Sequence, residues 1–133
     1  MTDQVGTEIP SIRKKVYQRA LAGNFRADSI HNDEYTKKNG FRGALVSAYV
    51  LNGYISELLL QYYGPAWAEN GEFSVSFING GVQQGDEVLC RGVVTKVDGQ
   101  YVDVDVWIER DDQTKVVVGH AHGYLQAEAL SPA

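Results

Sequence analysis

The feature that most limits how this chain can fold is a change of hydrophobic period near residue 70. Residues 47–64 (SAYVLNGYISELLLQYYG) carry apolar side chains at i, i+3 and i+4 spacings, which predicts one long helix with a broad apolar surface. From residue 72 the period becomes two, and EFSVSFI, DEVLCRGVVTKV, YVDVDVWIE and KVVVGHAHGYLQA are predicted strands. Short turns join these strands, so we expect them to form an antiparallel meander.

The long helix is the only element able to cover the apolar face of that sheet. The sequence therefore predicts an α+β domain in which a curved antiparallel sheet wraps around one central helix. Ser47 is the expected N-cap, and Gly64-Pro65 ends the helix. Gly53 lies in the helix interior, where glycine costs roughly 1 kcal/mol relative to alanine. Such a glycine is more useful if something packs tightly against the backbone there.

Shorter elements are predicted before the central helix. VGTEIP is expected to be a short strand or an extended lead-in, while KKVYQRALAG and NDEYTKKNG are predicted short helices. The basic cluster in IRKKVYQR is expected to lie on the first of these helices. It would be either a solvated helix face or a contact to the phosphates of a carrier molecule.

Composition excludes several classes of protein. The 133 residues contain no repeat or linker, which suits one domain over residues 1–133. A net charge of −5 argues against a nucleic-acid partner, and no apolar run approaches the roughly 18 residues of a membrane span. The sequence start lacks the order of a secretory signal, so a cytoplasmic location is expected. Cys90, the only cysteine, is expected to be a buried structural thiol.

Several strings of residues resemble the MaoC-like hydratase and dehydratase family of the hotdog superfamily. They are SIHNDEY, GFRGALV, GPAW and FSVSFINGGVQQGDEVLCRGVVTKV, so the resemblance spans nearly the whole chain. It implies a hotdog fold and a hydro-lyase activity on an enoyl or 3-hydroxyacyl thioester of coenzyme A or an acyl carrier protein. It also implies that no metal or other cofactor is needed. The implied assembly is a homodimer or higher homo-oligomer, with the sites at the dimer interface.

The implied reaction needs groups that move protons and donors that hold an enolate oxygen. His31 matches the catalytic histidine of the family, but the family's usual aspartate is absent. Asn24 stands at its position if the loop has two extra residues; an amide can orient a water but cannot accept its proton. Asp28 is the candidate replacement base. Asp28 and Asp33 flank His31. Either they favour the charged imidazole and fix the tautomer of the neutral ring, or they are only acids at a helix start.

The resemblance also implies substrate contacts at the start of the central helix. Ser47 and Ala48 occupy the positions of a His-Gly pair of the family, and the backbone N–H of Ala48 would point at the thioester oxygen. A serine common in the family falls near Asn52 or Gly53. With Asp33, the expected substrate-binding residues are therefore Ser47, Ala48 and Gly53.

Three functions are compatible with the sequence. The first is a hydro-lyase that uses His31 with Asp28 or with a water held by Asn24. The second is a catalytically weak protein that binds the thioester or forms half of a hetero-oligomer. The third is a repurposed biosynthetic hotdog protein such as an isomerase or a cyclase. His120 and His122 share one strand face, but the sequence offers no third ligand beside them, so no metal site is expected.

Overall fold

The computed structural model describes residues 3–17, 37–38 and 45–125. These residues form a five-stranded antiparallel sheet, one long helix and one short helix. In chain order the elements are β1 (Ile12–Lys15), α1 (Ala48–Tyr63), α2 (Trp67–Asn70), β2 (Glu72–Phe77), β3 (Glu87–Asp98), β4 (Tyr101–Arg110) and β5 (Lys115–Tyr124). The predicted α+β class is confirmed. Nowhere in these residues is a helix both long enough and apolar enough to cross a membrane.

α1 and the sheet share one hydrophobic core, because the apolar stripe of the helix meets the inward-facing residues of the strands. Side chains of a strand alternate between its two faces. Along β4, Val102, Val104, Val106 and Ile108 are at most 1 % exposed, as the period of two predicts. They pack with the buried residues of α1, which are Leu51, Ile55, Leu58, Leu59 and Tyr63.

β2 lies at an edge of the sheet, which differs from the predicted meander. The strand order is β1-β3-β4-β5-β2. β3, β4 and β5 are consecutive hairpins as predicted, but β2 pairs with β5 and not with β3. The prediction was wrong because strand pairing is nonlocal: residues 78–86 cross three strand spacings, roughly 14 Å, before β3 begins. Val82 is buried on this crossing, and its carbonyl oxygen accepts a hydrogen bond from the Val46 N–H at 2.8 Å.

The segment predicted to begin the first short helix is partly a strand. β1 pairs with β3, with Ile12 opposite Cys90 and Lys15 opposite Glu87. The helical prediction from Lys14 is therefore wrong where the chain is described. The helical spacing of the apolar residues from Val16 onward suggested a helix. It obscured a period of two, in which Ile12 is partly buried and Val16 is buried.

Other predictions about the region before α1 have mixed outcomes. The extended lead-in is confirmed, because Glu8 bridges Val93 and the Ile9 N–H donates to the Gly92 carbonyl oxygen at 2.9 Å. Of the second short helix, only residues 37–38 are described, and they are helical. Its remaining residues lie outside the described part of the chain.

The described basic residues of the cluster, Arg13, Lys14 and Lys15, lie on the edge strand β1, and the first two contact acidic side chains. Lys14 Nζ lies 2.8 Å from Glu57 Oε1, and Arg13 lies 3.9 Å from Glu87 and 3.8 Å from Asp111. Its expected place on a helix was wrong. Charged side chains on an edge strand hinder its pairing with another chain, which is a sufficient role for this cluster.

Candidate functional site

The predicted site residues divide between the described and the undescribed parts of the chain. Four of them lie outside the described residues: Asn24, Asp28, His31 and Asp33. The three predicted substrate contacts, Ser47, Ala48 and Gly53, lie at the start or in the first half of α1. The described residues therefore form the helix side of the candidate site.

The start of α1 is capped as predicted and presents a backbone donor. Ser47 has an extended backbone (φ −60°, ψ 145°), and its Oγ accepts from the Tyr49 N–H at 3.2 Å. The Val50 N–H donates to the Ser47 carbonyl oxygen at 3.1 Å. The Ala48 N–H has no acceptor within the described ranges, as is usual for the first residue of a helix. The helix dipole adds partial positive charge there, so this N–H suits an oxygen that becomes negative.

An apolar groove of about 390 Å³ lies beside the start of α1. One wall comes from α1 and the residues before it, and the other from the end of β2 and the turn that follows. The lining includes Leu45, Ala48 and Leu51 on the first wall, and Phe77, Ile78 and Gly81 on the second. Phe77 is 45 % exposed, which is high for a large apolar side chain. The groove therefore joins an apolar surface to the backbone donor of Ala48.

Gly53 is exposed in the middle of α1. A Cβ atom built at Gly53 would meet no atom within 4 Å, so packing within the described residues does not require glycine there. Tyr49, one helical turn earlier on the same side of α1, is 87 % exposed. Glycine at this exposed position therefore costs roughly 1 kcal/mol relative to alanine, and no contact among the described residues requires it.

No family model and no curated protein matches the sequence, but solved structures match the fold. The (R)-hydratase from A. caviae involved in PHA biosynthesis has a TM-score of 0.71 at 21% identity, covering 94% of this chain and 98% of its own. A MaoC-like dehydratase from Rhodospirillum rubrum has a TM-score of 0.67 at 18% identity, over 93% and 94% of the two chains. The ChsH1-ChsH2 complex from Mycobacterium tuberculosis gives 0.70 at 18% identity, over 94% and 100%.

The chain has the hotdog fold. The arrangement that decides this is the five-stranded antiparallel sheet packed on α1, matched over nearly the whole length of each of these structures. At identities of 18% to 21% the likeness establishes the fold and not the activity. The predicted resemblance to MaoC-like hydratases and dehydratases is confirmed at that level.

The outer face of the hotdog sheet, on the side away from α1, carries a second group of titratable side chains. The pairing of β4 with β5 brings Asp105 opposite His120. His120 Nδ1 lies 3.0 Å from Asp105 Oδ1, and His120 Nε2 lies 3.4 Å from Asp103 Oδ2. The hydrogen bond with Asp105 raises the pKa of His120 above its usual value; partial burial opposes this rise, and the charge of Asp103 adds to it.

His122 extends this group to β2 and to the start of β4. Its Nε2 lies 3.3 Å from Glu72 Oε2, and its Nδ1 is hydrogen-bonded to the Tyr101 hydroxyl. No three His, Cys, Asp or Glu side chains in the described ranges are arranged to hold a metal ion. We call the six side chains the His120 cluster: Glu72, Tyr101, Asp103, Asp105, His120 and His122.

Sequence reasoning found only part of this cluster. The period of two placed His120 and His122 on one face of the last strand, which is confirmed. Their carboxylate neighbours were missed because the pairing of β4 with β5 decides which residues meet. The available signal was that Asp103 and Asp105 alternate with the core valines of their own strand, so they had to face outward as the histidines do.

Cys90 is not a candidate for chemistry. It is fully buried within the strand β3, and burial raises the pKa of its thiol to about 12. The reactive thiolate is therefore disfavoured near neutral pH, and the predicted structural role is confirmed.

Proposed function

We propose that this hotdog protein is a hydratase or dehydratase-type lyase that acts on an enoyl or 3-hydroxyacyl thioester. The observation that carries the proposal is the Ala48 N–H at the start of α1, next to the apolar groove, in a fold shared with hydratases and dehydratases. The thioester carbonyl would bind at the N–H and its acyl chain in the groove. The carrier would be coenzyme A or an acyl carrier protein.

The proposed reaction assigns a role to each predicted site residue. Water adds its oxygen to the β-carbon of the enoyl group, and negative charge collects on the thioester oxygen as the enolate forms. The α-carbon then gains a proton, and the thioester carbonyl re-forms. The Ala48 N–H stabilises that oxygen, with the helix dipole in support. His31 delivers the proton to the α-carbon. The proton lost by the attacking water goes to Asp28 or, if Asn24 only orients that water, to His31. Dehydration follows the same steps in reverse.

We also propose that the chain forms a homodimer or a higher homo-oligomer through the free edge of β2. The two edges of the sheet differ in character: β1 is IRKK, whereas β2 is EFSVSF, without lysine, arginine or proline to hinder pairing. Phe77 is exposed at the end of β2, beside the groove. Sedimentation equilibrium at micromolar concentration is expected to give at least a dimer, and a monomer would refute this assembly.

Ala48→Pro tests the proposed oxyanion donor. The variant removes the backbone N–H, so turnover of a short trans-2-enoyl thioester is expected to fall about 10²–10³-fold. The helix is expected to survive, because proline is favoured at the first helical position and the extended backbone of Ser47 suits a residue before proline. Turnover is followed by the loss of the conjugated enone absorbance, and stability by thermal melting.

Ala48→Ser is the matched control, since it changes the same side chain but keeps the N–H. It is expected to retain turnover within a few-fold of the parent. If Ala48→Pro stays folded and equally active, the donor is not Ala48. If the parent turns over no member of a panel of trans-2-enoyl thioesters, the lyase proposal itself fails.

A second candidate is a thioester-binding subunit that works with a different chain. Two points favour it: the resemblance implies that the usual aspartate of the family is missing from the segment around His31, and one matching structure is a complex of two chains, ChsH1-ChsH2. This candidate predicts that the purified protein binds an enoyl thioester without turning it over. Equilibrium dialysis with the same thioester panel separates the two candidates.

A further inference from the structure

We propose that protonated His120 strengthens the pairing of two copies of this chain along the β2 edge, so that the assembly weakens when His120 loses its proton. The inference rests on the homodimer proposed above. His120 lies on β5, the neighbour of β2, and is directly opposite Ser74. His120 is therefore one strand away from the proposed seam between the two copies, and Glu72 of the His120 cluster lies on the seam strand itself.

The contacts of His120 call for a proton on each ring nitrogen. A neutral imidazole has one N–H and one lone pair, whereas an imidazolium has two N–H groups. Both nitrogens of His120 face carboxylate oxygens, at 3.0 Å from Asp105 and 3.4 Å from Asp103. In the neutral form, a lone pair would face one of these carboxylates and would be repelled. This arrangement of side chains therefore belongs to the imidazolium.

His122 does not need a second proton. Its Nε2 can donate to Glu72 at 3.3 Å, while its Nδ1 can accept from the Tyr101 hydroxyl. The neutral ring is thus fully hydrogen-bonded. The hydrogen bonds of His122 therefore call for one ring proton, whereas those of His120 call for two.

Both carboxylates that contact His120 come from β4. Arg91 and Lys115 lie on the same face of the sheet but stack on Trp107, and Lys96 of β3 lies opposite Asp103. No lysine or arginine in the described ranges makes an ion pair with the carboxylates of the cluster. Three carboxylates against one imidazolium leave two net negative charges, and deprotonation leaves three. The titratable groups that face the cluster from β2, β4 and β5 are Glu72, Tyr101, Asp103, Asp105, His122 and Tyr124.

Two such clusters would repel each other across the seam. If β2 pairs edge to edge with its copy, the two β5 strands are three strand spacings apart, roughly 14 Å. The Debye length is about 30 Å at 0.01 M ionic strength and about 8 Å at 0.15 M. From Coulomb's law in water with this screening, losing both protons is expected to weaken dimerisation about fivefold at the lower ionic strength and less than twofold at the higher.

The test is sedimentation equilibrium of the full chain at about pH 6 and about pH 8.5, each at low and at physiological salt. The parent is expected to dimerise more tightly at the lower pH, with the difference largest at low salt. His120→Gln cannot form an imidazolium. Its dimerisation should therefore depend on pH only through the general change in the net charge of the chain. His122→Gln is the control and should behave as the parent does.

Asp103→Asn provides a test in the opposite direction. It removes one negative charge and supplies an amide donor for the neutral ring, so at about pH 8.5 it should dimerise as tightly as the parent does at about pH 6. A parent dimer whose pH dependence is unchanged in His120→Gln overturns this inference but leaves the assembly standing. A parent that is monomeric under every condition overturns both, and the lyase proposal is then judged by turnover alone.

Discussion

Replacing His31 by alanine is expected to lower the hydration of a trans-2-enoyl thioester by about 10²–10⁴-fold, the usual contribution of a positioned acid–base group. Within the segment GNFRADSIHND, His31 is the only residue that can both give and take a proton near neutral pH. Initial rates of enone loss give the effect on turnover. Thermal melting of the variant checks that the chain stays folded.

His122→Gln is the matched control, because it also removes a histidine. His122 lies on the outer face of the sheet, on the side away from α1. Its turnover is expected to equal that of the parent. Full activity in His31→Ala would move the acid–base group elsewhere in the chain. Equal losses in both variants would point to a general effect on the protein and not to a role of His31 in the reaction.

The helix and the long strands could be predicted because each is defined by a local pattern. The apolar stripe of α1 and the alternation of Val102, Val104, Val106 and Ile108 are visible in short windows of sequence and are retained in the core. The N-cap at Ser47 was predictable for the same reason, since the cap and the N–H it accepts from are two residues apart. Such features depend little on the rest of the fold.

The errors arose where the sheet depends on distant residues. Lys14 and Lys15 follow a pattern compatible with a helix. In the structure they belong to the edge strand β1, which pairs with β3. The place of β2 beside β5 depends on the path of residues 78–86 and on the burial of Val82 along it. Neither pairing can be recognised in a short window of sequence, because tertiary contacts override the local propensity there.

The candidate site was predictable to a similar extent. Ala48 was named because the resemblance places a donor at the start of the central helix, where the first N–H groups lack partners within the helix. The apolar groove could not, since Phe77 reaches the start of α1 only through the position of β2. The carboxylates around His120 also required the register of two strands. Residues within one element were thus found from sequence, whereas neighbours across elements were not.

Replacing Asn24 by aspartate is expected to raise the hydration of a short enoyl thioester by up to about 10²–10⁴-fold, the range of general-base catalysis. If Asn24 stands where the related hydratases carry their aspartate, the new carboxylate has almost the same shape as the amide but can accept the proton of water. The gain requires that residue 24 lie within hydrogen-bond reach of that water, about 3 Å. Initial rates on one thioester give the comparison.

Two further variants test whether Asn24 contacts the attacking water and whether Asp28 is the base. Asn24→Ala removes the amide that orients the water and is expected to be slower than the parent, so it shows whether position 24 contacts the water at all. Asp28→Asn lowers turnover only if Asp28 has become the base, because its amide keeps the shape and loses the proton acceptor. An inert Asn24→Asp together with an inactive Asp28→Asn would mean that the alignment through Asn24 is wrong and that Asp28 alone takes the proton. A gain in Asn24→Asp with little change in Asp28→Asn would mean that the parent works with an oriented water and no carboxylate base.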